Sequence, residues 1–131
     1  MRYFMLNISN IKPRDEEHIK NTYPLRYARA LKYSNHDDYL RSIGAYLLLE
    51  KAFGSFDEKK IVLNKNGKPS LDGFPFFNYS HSGDFVVLVV DKIHELGIDV
   101  QVFGDHSKKE IIEWTKKEAI LKLTGEGITK L

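Results

Sequence analysis

The chain has 131 residues, a formal net charge of +2 and no cysteine. That length suits one domain, read over residues 1–131, and 42% hydrophobic with 29% charged residues is the balance of a soluble globular protein, for which the absence of cysteine is compatible with a cytoplasmic location. The missing cysteine excludes disulfides, thiolate nucleophiles and sulfur-ligated metals. The small charge gives no argument for a nucleic-acid partner, and no apolar run approaches the ~20 residues of a membrane span.

Tyr3 to Ile8 is a short aromatic and apolar run, which predicts a strand rather than a signal peptide. Pro13 and the acidic run Asp15, Glu16, Glu17 predict a helix start, and Pro24 a second, shorter helix. Asn35 has the character of an N-cap, with Asp37 and Asp38 in the first turn. Leu40, Ile43 and Leu47 then recur at helical spacing up to Lys51, and Gly54 offers the left-handed cap. Asn64 to Pro69 is turn chemistry. Phe76 to Ser80, Phe85 to Val90 and Gly97 to Val102 predict strands, the second continuously apolar and so buried. From His106 to Gly125 the apolar residues Ile111, Trp114, Ala119, Leu121 and Leu123 predict a helix. The fold class expected is α+β, an antiparallel sheet with packed helices.

Four groups of residues have chemical potential. Asn78-Tyr79-Ser80-His81-Ser82-Gly83, placed in a turn between two strands, combines hydroxyls, an imidazole and a glycine that lets a ligand approach the backbone. The plain alternative is a polar hairpin loop. A Ser–His hydrolase dyad is discounted, because sequence neighbours rarely face each other and no nucleophile elbow is present. Asp99 and Gln101 lie two apart on one strand face, where a carboxylate suits a hard cation such as Mg²⁺ or is simply exposed. Glu118 and Lys122 share a helical face with Trp114, either as an ordinary exposed ion pair or as a metal-binding or basic Glu beside a phosphate-binding Lys. Arg26, Arg29, Lys32 and Arg41, with Lys68, form either a solvated cationic face or a phosphate grip.

The order Gly67-Lys68-Pro69, Asn78 to Gly83, Gly97-Ile98-Asp99 and Trp114-Thr115-Lys116-Lys117-Glu118-Ala119-Ile120-Leu121-Lys122 resembles the 4'-phosphopantetheinyl transferase superfamily, and more closely its surfactin-synthetase-activating type. The resemblance implies one half of that fold plus the Trp-Lys-Glu-Lys helix. It implies transfer of the phosphopantetheine arm of coenzyme A to a serine of an acyl or peptidyl carrier protein, releasing 3',5'-ADP. On this chain it assigns Arg26, Arg29 and Arg41 to the 3'-phosphate, and Lys68, Ser80 and His81 to the nucleotide and its phosphates. It assigns Asp99, Glu118 and the position of Gln101 to Mg²⁺. Glu118 is the base for the carrier serine, with Lys122 and Lys117 neutralising the phosphates.

The sequence departs from that pattern in three ways. Gln101 stands where many members have Glu, and a neutral amide is the weaker Mg²⁺ ligand. Only Val100 to Glu113 separate Asp99 from Trp114, so a reduced carrier-binding region is expected. The sequence ends at Leu131 soon after the expected helix, whose Trp114, Leu121 and Leu123 then need cover, which leads to a homo-oligomer, a dimer, as the expected state. The alternative is a degenerate member that binds coenzyme A or a related nucleotide without transfer.

Overall fold

A computed structural model describes residues 2–65, 67–91, 100–104, 109–114 and 119–124, the last three runs as strand backbone. Strand β1 (Arg2–Asn7) leads through a 3-10 turn, Ile8–Asn10, into helices α1 (Pro13–Thr22), α2 (Pro24–Ala30) and α3 (His36–Phe53). A second 3-10 turn, Glu58–Lys60, precedes the short hairpin β2 (Ile61–Leu63) and β3 (Pro69–Leu71). Strands β4 (Phe76–Ser82) and β5 (Phe85–Asp91) follow, then β6 (Val100–Gly104), β7 (Lys109–Trp114) and β8 (Ala119–Thr124). No helix among the described residues is long and apolar enough to cross a membrane.

The helix ends form for local reasons. Proline stands at the first position of both α1 and α2, where no intrahelical N–H bond is lost. At α1, Asp15 Oδ2 accepts from the Lys12 N–H at 2.8 Å. At α3, Asn35 Oδ1 accepts from the N–H groups of Asp37 (2.9 Å) and Asp38 (3.2 Å), satisfying two donors the helix itself leaves open. Gly54, at φ 77°, closes the other end with an N–H to the Glu50 carbonyl at 2.7 Å.

The main sheet is antiparallel in the order β1-β5-β4. Leu88 sits opposite Phe4 on one side and Tyr79 on the other. The face carrying Phe4, Val86, Leu88, Val90 and Phe77 joins Ile43, Leu48 and Leu49 of α3 in the core. Val87 and Val89 on the opposite face are also fully buried. Burial on both faces explains why β5 reads as an unbroken apolar run. Gly44 of α3 permits the close approach, since a Cβ there would lie 3.1 Å from Leu6 Cδ2 and 3.4 Å from Val86 Cγ2.

Aromatic packing joins the three helices. Tyr23, fully buried at the α1–α2 junction, stacks on Phe56 at 4.5 Å and meets Tyr46 edge-on at 5.4 Å. Its hydroxyl donates to Glu50 Oε2, while Glu50 Oε1 pairs with His18 Nε2 at 2.7 Å. Burial, and then the bond to Glu50, push the Tyr23 phenol well above the usual tyrosine range.

Two expectations change. The strand expected over Phe76 to Ser80 forms but runs further into the polar motif expected at a turn, since β4 stays paired to β5 as far as Ser82–Phe85. Phe77 and Tyr79, two apart, pack on the core, so the alternation that defines a strand runs through the polar motif. Only Gly83, at φ 56°, and Asp84 remain as the turn. The Trp-Lys-Glu-Lys helix expected over 106–125 is also not what the described residues form. Residues 109–114 and 119–124 are antiparallel strands in the sheet β6-β7-β8, with Trp114 opposite both Val100 and Ala119. Adjacent β-branched Ile111 and Ile112, and Leu121 and Leu123 alternating around Lys122, fit this pairing. The dimer expectation therefore loses the apolar helix face on which it rested.

Two stability measurements follow from this packing. Gly44→Val should lower the unfolding free energy by about 1–3 kcal/mol in urea titration, the usual cost of overpacking; an unchanged midpoint would contradict the close approach of α3. Stability should also fall as pH rises above 10.0, the ordinary tyrosine value. There the unfolded chain releases the Tyr23 proton while the native state holds it, so the unfolded state binds fewer protons. Tyr23→Phe should lower the baseline yet flatten the alkaline slope, by up to about 1.4 kcal/mol per pH unit.

Candidate functional site

One face of α3 presents Asp38, Arg41, Ser42 and Ala45, spaced three, four and seven residues along the helix. Strand β4 supplies Tyr79, Ser80 and His81, at the edge of its sheet, and α2 supplies Arg26. With Tyr33 and Val86 these residues line a cavity of about 410 Å³. The polar lining is two guanidinium groups, an imidazole, hydroxyls and a single carboxylate, which suits an anionic ligand.

Arg26 is held from three sides. Its guanidinium lies 4.0 Å from the Tyr46 ring centroid, with Tyr79 at 5.7 Å. Nη2 donates to the Tyr79 hydroxyl at 2.8 Å and Nη1 to Ser42 Oγ at 3.3 Å. Burial raises the pKa of the Tyr46 phenol, against the opposing pull of the Arg26 charge. Arg41 is held differently. Nη1 donates to Asp38 Oδ1 at 2.7 Å, and Nε and Nη2 both donate to the Gly83 carbonyl, at 3.3 and 3.0 Å. That contact ties α3 to the β4–β5 turn. A guanidinium has five N–H donors, so both arginines keep donors for a ligand.

Of the residues expected from sequence, Arg26, Arg41, Ser80 and His81 thus meet at one cavity. Arg29 and Lys32 are exposed and are not among its lining residues. Lys68 is half-buried in the β2–β3 hairpin, its N–H bonded to Asn64 Oδ1 at 3.0 Å, and it too is outside the lining. Gln101 lies in β6 opposite Glu113, and Lys122 in β8 opposite Ile111. Asp99, Lys117 and Glu118 lie outside the described residues. No group of three or more metal-ligating side chains occurs among the described residues.

Sequence reasoning missed Ser42, Tyr33 and the second role of Asp38. The helical spacing of Asp38, Arg41, Ser42 and Ala45 was the available signal. Nothing local could have paired Arg26 with Tyr79, 53 positions apart.

Comparison with known proteins adds an independent line. The 4'-phosphopantetheinyl transferase AcpT of Salmonella typhi is 31% identical, over 60% of this chain and 55% of its own. The 4'-phosphopantetheinyl transferase HetI of Nostoc sp. is 33% identical, over 70% of this chain and 51% of its own. The 4'-phosphopantetheinyl transferase psf-1 of Bacillus pumilus is 33% identical, over 49% of this chain and 39% of its own. The chain spans about half the length of the first two of these relatives. No family model matches, and no solved structure matches significantly. The motif order, the α+β fold and these relatives together support the 4'-phosphopantetheinyl transferase superfamily as the family this chain is similar to.

Proposed function

We propose that the chain binds coenzyme A through the α2–α3–β4 cavity and transfers its 4'-phosphopantetheine arm to a serine hydroxyl of an acyl or peptidyl carrier protein. The observation that carries this reading is the convergence of Arg26, Arg41, Ser80 and His81, from three separate elements, on one cavity. In this reading Arg26 and Arg41 grip the 3'-phosphate, Arg29 adds a screened surface charge, and Ser80, His81 and Lys68 donate to the nucleotide and its phosphates.

The transfer chemistry falls to residues 99–122. The donor set of Asp99, Glu118 and the Gln101 amide suits Mg²⁺, which takes one or two carboxylates and keeps several waters. When bound, that ion would stabilise the negative charge of the pyrophosphate. Glu118 accepts the proton of the carrier serine as its oxygen forms the new P–O bond. The bond to the bridging oxygen breaks with its electron pair, and 3',5'-ADP leaves. The ammonium groups of Lys117 and Lys122 neutralise charge on the departing phosphate. Gln101, neutral where many members carry Glu, favours a second reading in which the ligand binds without transfer.

Calorimetry with coenzyme A and dephospho-coenzyme A tests the site. Coenzyme A should bind at least about tenfold tighter, the worth of one charge-assisted contact. Arg41→Ala should erase most of that difference. Equal weakening of both ligands would remove Arg41 from the 3'-phosphate, and no binding of either would overturn the assignment. Asp99→Ala should abolish the gain in affinity on adding Mg²⁺ while sparing the discrimination between ligands. Binding with no modification of any carrier in a panel, unrescued by Gln101→Glu, would leave the second reading.

A further inference from the structure

Behind the cavity, a carboxylate outside its lining holds the start of α2. Glu58, in the turn before β2, accepts from the Leu25 N–H with Oε2 at 2.9 Å and from the Arg26 N–H with Oε1 at 3.0 Å. These are first-turn donors with no partner inside the helix. Pro24 has no N–H to give, and Tyr23, at the N-cap, makes no side-chain capping bond. The cap therefore comes from 32 residues away. A helix of seven residues is marginal without such support.

One of the two N–H groups held by Glu58 belongs to Arg26 itself. The main chain of this arginine is fixed by Glu58, and its guanidinium by Tyr46, Ser42 and Tyr79. A small rotation of α2 would slide the guanidinium off the Tyr46 ring and out of reach of the Tyr79 hydroxyl. We propose that Glu58 is a positioning residue for the Arg26 guanidinium, and through it for the phosphate of bound coenzyme A. The ligand half of this statement rests on the functional reading above; the positioning of Arg26 does not.

The test is a double-mutant cycle on the whole chain, with coenzyme A and dephospho-coenzyme A as titrants. Glu58→Ala should weaken coenzyme A about tenfold and dephospho-coenzyme A less than about twofold. In an Arg26→Ala background the same change should cost less than about twofold. A full tenfold loss in that background, or equal losses for both ligands, would show a purely structural role and overturn the proposal. Glu58→Gln keeps one acceptor and should give an intermediate loss, which serves if the alanine variant does not fold. A ligand-free readout separates the two ideas. The Arg26 Nε–H resonance should shift in the folded Glu58 variant as the stack on Tyr46 loosens, and an unchanged resonance overturns the positioning claim even where coenzyme A binds. If the wild type binds no coenzyme A, the functional reading and the ligand half fail together, and the resonance alone decides the positioning of Arg26.

Discussion

The guanidinium of Arg26 joins three elements at once. It starts from α2, lies over Tyr46 and bonds Ser42 of α3, and reaches Tyr79 of β4. It forms no ion pair within the described residues. Aromatic faces and hydroxyls orient a cation and relieve part of its desolvation, but they do not cancel its charge. Such an arginine is fixed in geometry and still electrostatically open. That combination is what a phosphate site needs, because the ligand then meets donors already in place.

Arg41 complements it. Its charge is offset by Asp38, and two of its nitrogens serve the Gly83 carbonyl. Its first task is architectural, since it anchors the turn from which β4 and β5 run, and so sets where Ser80 and His81 stand against α3. A phosphate bound as proposed would compete with Asp38 for this arginine, whereas the Arg26 guanidinium is in no ion pair among the described residues. The two cations therefore contribute unequally, with Arg26 offering the larger uncompensated field and Arg41 the tie between helix and strand.

Much of this arrangement was legible in the sequence where the cause is local. Pro13, Pro24, Asn35 and Gly54 mark helix ends through backbone geometry and capping, and the helices begin and end there. The apolar run of β5 announced a strand buried on both faces. The motif around Ser80 read partly as the end of a strand and partly as a turn, because its later residues are small and polar. It is a strand because Phe77 and Tyr79 alternate into the core, a fact of tertiary packing. Strands β2 and β3, three residues each, are too short to show a period. The stretch from Ile111 to Leu123 satisfies both a helical and an alternating pattern, and pairing between strands decided it. The site was half legible for the same reason: residue types and the α3 face are written locally, whereas the Arg26–Tyr79 and Glu58–Arg26 bonds depend on chain segments brought together from afar.

The binding and the chemistry proposed for this chain draw on different stretches of it. The cavity is built from α2, α3, β4 and β5, elements packed on one continuous core, and its cations sit on helices rather than on loops. The residues assigned to metal binding and proton transfer all fall from Asp99 onward. In the proposed function, a weaker metal site at Gln101 would impair transfer without dismantling the cavity. Under the proposed reading binding can thus outlast transfer, because the cations proposed for the 3'-phosphate belong to the α2–α3–β4 junction. Glu58 belongs to that junction by the same logic: it acts on the backbone of α2, so its influence reaches the phosphate only through Arg26.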